Sequence, residues 1–242
     1  MPQPRGDHDL VWYVSYGSNM LPARLRYYLA GGRPPGGRRT YPGARDASPP
    51  VETAALTLPG GVFFALESRT WTGGMAFYDP LLDGPTPAAG HLVTRAQFSD
   101  VATQEMHHEP GRDLPFDDAP VNGRITLGPG RYETLLCLGD HAGAPMFTFT
   151  CPWRATEVRA TRPAGRYLRL IAAGISVTHG WGADRITDHL MRLPGVGGTW
   201  HRHEVSALVT SALENAWSDP ARPDHRRAAR SPVAWRPATE SG

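Results

Sequence analysis

Two features of this 242-residue chain combine residue types and spacing that could do chemistry: the run Tyr16-Gly17-Ser18-Asn19-Met20, and Glu105. The first follows Val11 to Ser15, aromatic and β-branched residues alternating as a buried strand does, and precedes a helical segment from Leu21 to Leu29. A strand, a glycine turn and a helix start in that order aim successive backbone N–H groups at one point. Gly17 lets a ligand come close to the chain, Ser18 or Asn19 can cap the helix, and the nest suits a carboxylate or a phosphate. Glu105 lies on the apolar stripe of another helical segment, where Phe98, Val101, Ala102 and Met106 recur at three- and four-residue spacing. An acid on an apolar face is a local contradiction of the kind that marks sites. Together they suffice for proton transfer on an acidic substrate, the amides holding its carboxylate and the glutamate moving the proton. A capped turn and a helix-end glutamate paired with an arginine are the plainer readings of the same residues.

Other chemistries find less support. All 25 basic residues are arginine, so no lysine is present for a Schiff base, a P-loop or a Ser-Lys dyad. His107-His108-Glu109 and His201-Arg202-His203-Glu204 have the wrong spacing for a helical zinc motif, and no metal or other cofactor is expected. No nucleophile elbow supports a serine triad. Cys137 and Cys151 read as reduced packing residues: in a hairpin centred near Ala142, Cys137 faces Phe147, and the two cysteines sit about four strand positions apart, about 13 Å at the usual rise, too far to bridge. The net charge of +2 calls for neither nucleic acid nor membrane. No signal-like segment and no apolar run near 18 residues is found, so a soluble cytoplasmic protein is the expectation.

The elements that must position these residues are legible in outline. The stretch from Gly31 to Pro50 is an Arg/Gly/Pro-rich surface loop. Thr53 to Leu58 and Val62 to Glu67, flanking Pro59-Gly60-Gly61, read as a β-hairpin. Strands follow at Trp71 to Asp79 and Ala89 to Thr94, then the helix from Arg95 that carries Glu105. His107 to Gly130 reads as a polar surface insertion, and Arg131 to Gly139 with Pro145 to Cys151 as a second hairpin. Helices from Pro163 to Val177, Ala183 to Leu193 and Val205 to Trp217 precede a tail of disordered composition. The organisation expected is one domain over residues 8–195, a helical C-terminal extension over 196–218, and a disordered tail over 219–242.

The order of motifs resembles the γ-glutamylcyclotransferase family. The resemblance is carried by the strand leading into Tyr16-Gly17-Ser18-Asn19, by Thr70-Trp71-Thr72-Gly73-Gly74 before a strand, and by the helix ending in Gln104-Glu105. It is completed by the run from Arg162-Pro163 through Tyr167 to Gly174, and covers roughly residues 11–195. It implies an α+β fold, a small mixed β-barrel flanked by helices, with the pocket at the barrel mouth. It also implies that the residues from Tyr16 to Met20, with Trp71, Gly73 and Gly74, bind substrate, and that Glu105 is the general acid/base. The reaction implied is attack of a substrate's own α-amine on its γ-carbonyl, closing 5-oxoproline and releasing an amine without metal or cofactor. The chain departs from the family in four places. Met106-His107-His108-Glu109 follows the glutamate where a glycine is common, and Phe147 and Phe149 stand where a tyrosine is frequent. The other two departures are the loops from Gly31 to Pro50 and up to Gly130. These point towards a larger γ-glutamylated or otherwise acylated substrate. A binding module that keeps the anion turn, and a metal-free amide hydrolase in which Glu105 activates water, are the alternatives.

Overall fold

The computed structural model describes residues 10–35, 39–68, 72–116, 123–217 and 233–234. Strand β1 (Leu10–Ser15) is the axis of a seven-stranded mixed sheet. It pairs antiparallel with β5 (Thr86–Thr94) and parallel with β8 (Ala144–Thr150). Beyond β8 lie β7 (Thr134–His141) and the short β6 (Arg124–Thr126). Beyond β5 lie β2 (Glu52–Leu58) and β9 (Val233–Ala234). Strands β3 (Gly61–Ser68) and β4 (Gly73–Asp79) form a separate antiparallel pair. The pair is fastened to β8 by one side chain: the Thr150 hydroxyl accepts from the Tyr78 amide at 2.9 Å and donates to the Tyr78 carbonyl at 2.8 Å.

The two faces of β1 are packed by different helices, as alternation along a strand requires. Trp12, Val14 and Tyr16 join a core with α3 (Gly165–His179), α4 (Ala183–Arg192) and α5 (Arg202–Trp217). Val11 and Tyr13 join a second core with α1 (Pro22–Ala30) and α2 (Arg95–Glu105). The α+β expectation and the C-terminal helices are therefore as read from the sequence, and Cys137 pairs with Phe147 as expected, both cysteines being free.

The proposed hairpin of β2 with β3 is not formed. β2 pairs along its whole length with β5, from Glu52↔Leu92 to Leu58↔Thr86, while β3 leaves for β4. Gly60 makes the corner, at φ 78° and with its missing Cβ only 2.5 Å from the Asp79 carbonyl, a place that a side chain would block. The insertion after residue 106 is also less superficial than its composition suggests. Phe116 is buried against Phe98 and Phe147, and β6 adds to the sheet edge. Of the tail, Val233–Ala234 pairs in parallel with β2.

Two histidines are folded into this architecture in their neutral form. Burial pulls both His91 in β5 and His189 in α4 down to a pKa of about 4. The unfolded chain, with histidines near 6.5, binds more protons than the folded one between those values, so their contribution to stability is complete above pH 6.5 and is lost as pH falls through 4. At pH 5 the expected loss is on the order of 1–2 kcal/mol for each, a few degrees of Tm for a chain of this size. Thermal melts of wild type and His189→Leu at pH 7.5 and pH 5 check this: the variant's drop on acidification should be smaller, and an equal drop would assign the acid sensitivity elsewhere.

Candidate active site

β1 ends against a cavity of about 400 Å³, and the chain turns out of the strand along its wall. Ser18–Met20 form a single 3₁₀ turn, whose first backbone bonds run from the Met20 amide to the Gly17 carbonyl and from the Leu21 amide to the Ser18 carbonyl. The amides of Gly17, Ser18 and Asn19 precede those bonds and so have no helical acceptor. The turn is pinned from behind. His91 Nε2 donates to the Asn19 carbonyl at 3.0 Å, and Met20 is wedged against α3, its Cβ lying 2.7 Å from where Gly174 would carry one.

Glu105 arrives from the other side. The capping box of Thr94 and Gln97 starts α2 immediately after β5: the Gln97 amide donates to Thr94 Oγ1 at 3.1 Å, and the Thr94 amide to Gln97 Oε1 at 3.0 Å. Eleven residues later, about 16 Å along the axis, the helix ends at Glu105. Its last turn is held by the buried Gln104, whose Nε2 donates to the carbonyls of Tyr28 and Gly43 at 2.9 and 3.3 Å. Glu105 is half-buried, lines the cavity, and accepts a hydrogen bond from Asn19 Nδ2 at 3.2 Å. Residues 86 apart in the chain thus meet directly.

Around the carboxylate stand phenols and arginines. Burial first, and then the charge of Glu105, pushes the phenols of Tyr13, Tyr28 and Tyr167 well above their ordinary pKa. Burial does the same for Tyr16 and Tyr132. All therefore stay protonated and neutral. Arg24, on α1, lies over the rings of Tyr28 and Tyr41 and bonds to both hydroxyls. Burial works against its charge, but Tyr28, Tyr41 and Glu105 outweigh burial and favour the cation. Arg39 donates to the Gln104 carbonyl and to His107 Nδ1, each at 3.0 Å, and Arg131 donates to the Glu67 carbonyl at 2.8 Å. With three arginines against one glutamate, the charged side chains of the lining favour an anionic ligand.

Of the residues expected to bind substrate, Tyr16, Gly17, Ser18 and Asn19 line this cavity together with Glu105. Met20 does not; it is a core residue. Gly73 and Gly74 line a separate hollow with Thr161 to Ala164 and Trp200. Their lack of a side chain is explained by packing: a Cβ on Gly74 would meet the Thr161 carbonyl at 2.5 Å, and one on Gly73 the Ala164 amide nitrogen at 2.7 Å. Trp71 lies outside the described residues. Phe149, noted as a departure, stacks on Tyr13 at 5.4 Å and lines the cavity, whereas Phe147 does not. Sequence reasoning missed Tyr13, Arg24, Tyr28, Tyr132 and Tyr167, and it treated Arg39 as part of a surface loop. The four-residue spacing of Arg24 and Tyr28 was the one available signal, a cation and a phenol on one helix face. Among the described residues, no group of three His, Cys, Asp or Glu could hold a metal ion, and no helix is long and apolar enough to cross a membrane.

No family model matches the chain. It is 34% identical over 183 residues to Histone deacetylase 5 of Arabidopsis thaliana, a match that takes in 68% of this chain and 28% of that protein's length. The chain therefore spans well under half of this relative. In fold it is similar to a solved gamma-glutamyl cyclotransferase, with a TM-score of 0.45 and 12% identity, over 84% of this chain and 99% of that one. It is similar to an uncharacterized Homo sapiens protein with a TM-score of 0.44 and 13% identity over the same shares. Neither structural likeness bears on the residues of the cavity.

Two glycines separate the cavity from the packing around it. Gly17 has φ −116°, which any residue adopts, and a Cβ there would touch only the Tyr167 hydroxyl, at 3.4 Å. Gly17→Val should fold with a Tm near wild type but weaken binding of a carboxylate ligand by at least about ten-fold, because its methyls enter the cavity. Gly74→Ala should instead lose about 1–3 kcal/mol of stability through overpacking. Melting curves and titration with a γ-glutamyl compound check both; normal binding by Gly17→Val would mean that the ligand sits elsewhere.

Proposed function

We propose that this chain is an amine-releasing cyclotransferase acting on a γ-glutamyl-type amide, with formation of 5-oxoproline. One observation carries the reading: the turn whose first three amides have no helical acceptor and the half-buried carboxylate, far apart in sequence, share one cavity and are joined by the Asn19–Glu105 hydrogen bond. The resemblance of motif order supports it, as does the positive lining, which suits a substrate with a free α-carboxylate.

In this scheme the amides of Gly17 to Asn19 hold the α-carboxylate, leaving the α-amine near Glu105 and the γ-carbonyl within its reach. The amine nitrogen attacks the γ-carbon, a carbon–nitrogen bond forms, and Glu105 accepts the proton that the nitrogen sheds. The tetrahedral centre then expels the original amide nitrogen, which takes the proton back from Glu105 as its bond to carbon breaks. Nothing is oxidised, and neither water nor a second substrate is consumed. Ring closure needs mainly orientation, and the proton shuttle adds typically about 10²- to 10⁴-fold. Tyr16 and Tyr132 already donate to the Phe149 and Ala76 carbonyls, so the donor to the oxyanion that develops is Tyr13, a neutral phenol whose oxygen accepts from Asn19.

Glu105→Gln retains an oxygen to accept from Asn19 but cannot take up a proton. The expected result is a folded variant with Tm unchanged or raised and 5-oxoproline release lowered by at least about 10²-fold. A glutamate that is only structural gives the opposite pattern, a lowered Tm with a near-normal rate per folded molecule, and that outcome would remove Glu105 from the reaction. Thermal denaturation and product assay on the same preparations separate the two.

A further inference from the structure

The lining of the cavity runs from buried to exposed. Tyr13, Arg24 and Tyr28 are buried, Arg39 is half-buried, and His107 and Arg131 are exposed and so mark the mouth. Arg39 and Arg131 belong to the two stretches where the chain departs from the motif order: the loop from Gly31 to Pro50, and the end of the insertion after residue 106. Both are held by neutral atoms. Arg39 lies over the Tyr41 ring, 5.0 Å from its centroid, and donates to the Gln104 carbonyl and to His107 Nδ1. Arg131 donates through Nη1 to the Glu67 carbonyl at 2.8 Å and to Met75 Sδ at 3.3 Å. His107 lies in the field of both. Burial first and then Arg39 lower its pKa, and Arg131 acts in the same direction against Glu105. These contacts occupy only part of the five N–H donors of each guanidinium. Among the described residues neither makes an ion pair, whereas Arg45, Arg162 and Arg202 do, with Asp100, Glu204 and Asp188. Glu133, two residues from Arg131, is bonded instead to the Gly130 amide and to His108. Deeper in, burial opposes the charge of Arg24, but Tyr28, Tyr41 and Glu105 together offset it. Glu105 thus balances Arg24, and the mouth keeps two positive charges for a ligand to match.

We propose that Arg39 and Arg131, beside His107, form a subsite for the leaving half of the substrate, and that this half is an amine carrying two negative charges, as two carboxylates or one phosphate. The inference rests on the cyclotransferase reading. With the α-carboxylate of the glutamyl half at the turn, the amine that is released lies on the solvent side of the γ-carbonyl and must depart through the mouth. A leaving half with one carboxylate matches one of the two cations, and a doubly charged one matches both. The N–H groups that the protein leaves unused supply charge-assisted hydrogen bonds, roughly twice as strong as neutral ones.

The test is a binding series, measured by calorimetry on the full chain carrying Glu105→Gln so that no probe is consumed. γ-L-Glutamyl-L-glutamate, γ-L-glutamylglycine and γ-L-glutamyl-ethylamide have leaving halves with two, one and no negative charges. Affinity should rise by about ten-fold with each charge, as expected for a charge-assisted hydrogen bond at an exposed site. Adding Arg39→Gln or Arg131→Gln should weaken γ-L-glutamyl-L-glutamate by about ten-fold and leave the ethylamide within about two-fold. Arg131→Glu, a change at an exposed position, should bring γ-L-glutamyl-L-glutamate below γ-L-glutamylglycine. Raising the salt to about 0.5 M should compress the series. γ-L-Glutamyl-O-phosphoethanolamine separates the two forms of the charge: binding tighter than γ-L-glutamyl-L-glutamate assigns the subsite to one phosphate, and binding weaker than it assigns the subsite to two carboxylates. Three probes that bind alike, or an order of affinities that survives both glutamine substitutions, would overturn the proposal. So would an equal loss for the ethylamide, which would make the arginines structural. Failure of the cyclotransferase reading would show separately, as wild type that keeps this order of affinities yet makes no 5-oxoproline from any probe.

Discussion

The site depends on a turn that leaves the middle of a sheet and is nevertheless buried. β1 has strands on both sides, so the chain emerging from it at Gly17 cannot be placed by pairing and must be held by side chains. Two contacts do this. His91 on the neighbouring strand donates to the Asn19 carbonyl, and Met20 fills the space that Gly174 leaves open on α3. Both are internal, so the three amides are fixed by groups that the ligand does not touch. His91 can donate there while still accepting at its other nitrogen because burial keeps it neutral, which links a property of the core to the geometry of the cavity wall.

The carboxylate is placed by a separate chain of causes that converges on the same point. α2 begins at a capping box set directly after β5, and its length carries it to Glu105. Two loops then close around its end. Asp100, fully buried, accepts from the Arg45 amide at 2.7 Å and from the Gly111 amide at 2.9 Å, so the stretches before β2 and after α2 are tied to the same helix. Arg39 reaches the Gln104 carbonyl from the first of these stretches. The cavity therefore belongs to no single element. Its floor is the sheet, its positive charge comes from α1 and two loops, and its one acidic side chain comes from a helix end.

That division explains what could be read in advance. The turn from Tyr16 to Asn19 and the acid at Glu105 were legible because each breaks a local pattern, a strand stopping in glycine and a charge on an apolar stripe. Helix positions were legible for the same reason, since periodicity is local. Strand partners were not. Pro59-Gly60-Gly61 has the chemistry of a hairpin turn, yet β2 finds a longer partner in β5, and only the three-dimensional packing decides between them. The paired glycines at 73 and 74 look like a ligand-facing turn, but the strand of chain from Thr161 to Ala164 crosses them closely. The phenols and arginines of the cavity were hidden for a related reason: Tyr132 and Arg39 look like any surface residues until distant segments bring them together.

The account as a whole stands on intramolecular attack by the substrate's amine rather than attack by water. Incubating the protein with a γ-glutamyl amide in water enriched in oxygen-18 and analysing the products by mass spectrometry distinguishes the two. Cyclisation keeps the original carbonyl oxygen and predicts unlabelled 5-oxoproline with release of the free amine. Glutamate carrying one heavy oxygen in its γ-carboxylate would contradict the account and make Glu105 the base of a hydrolase.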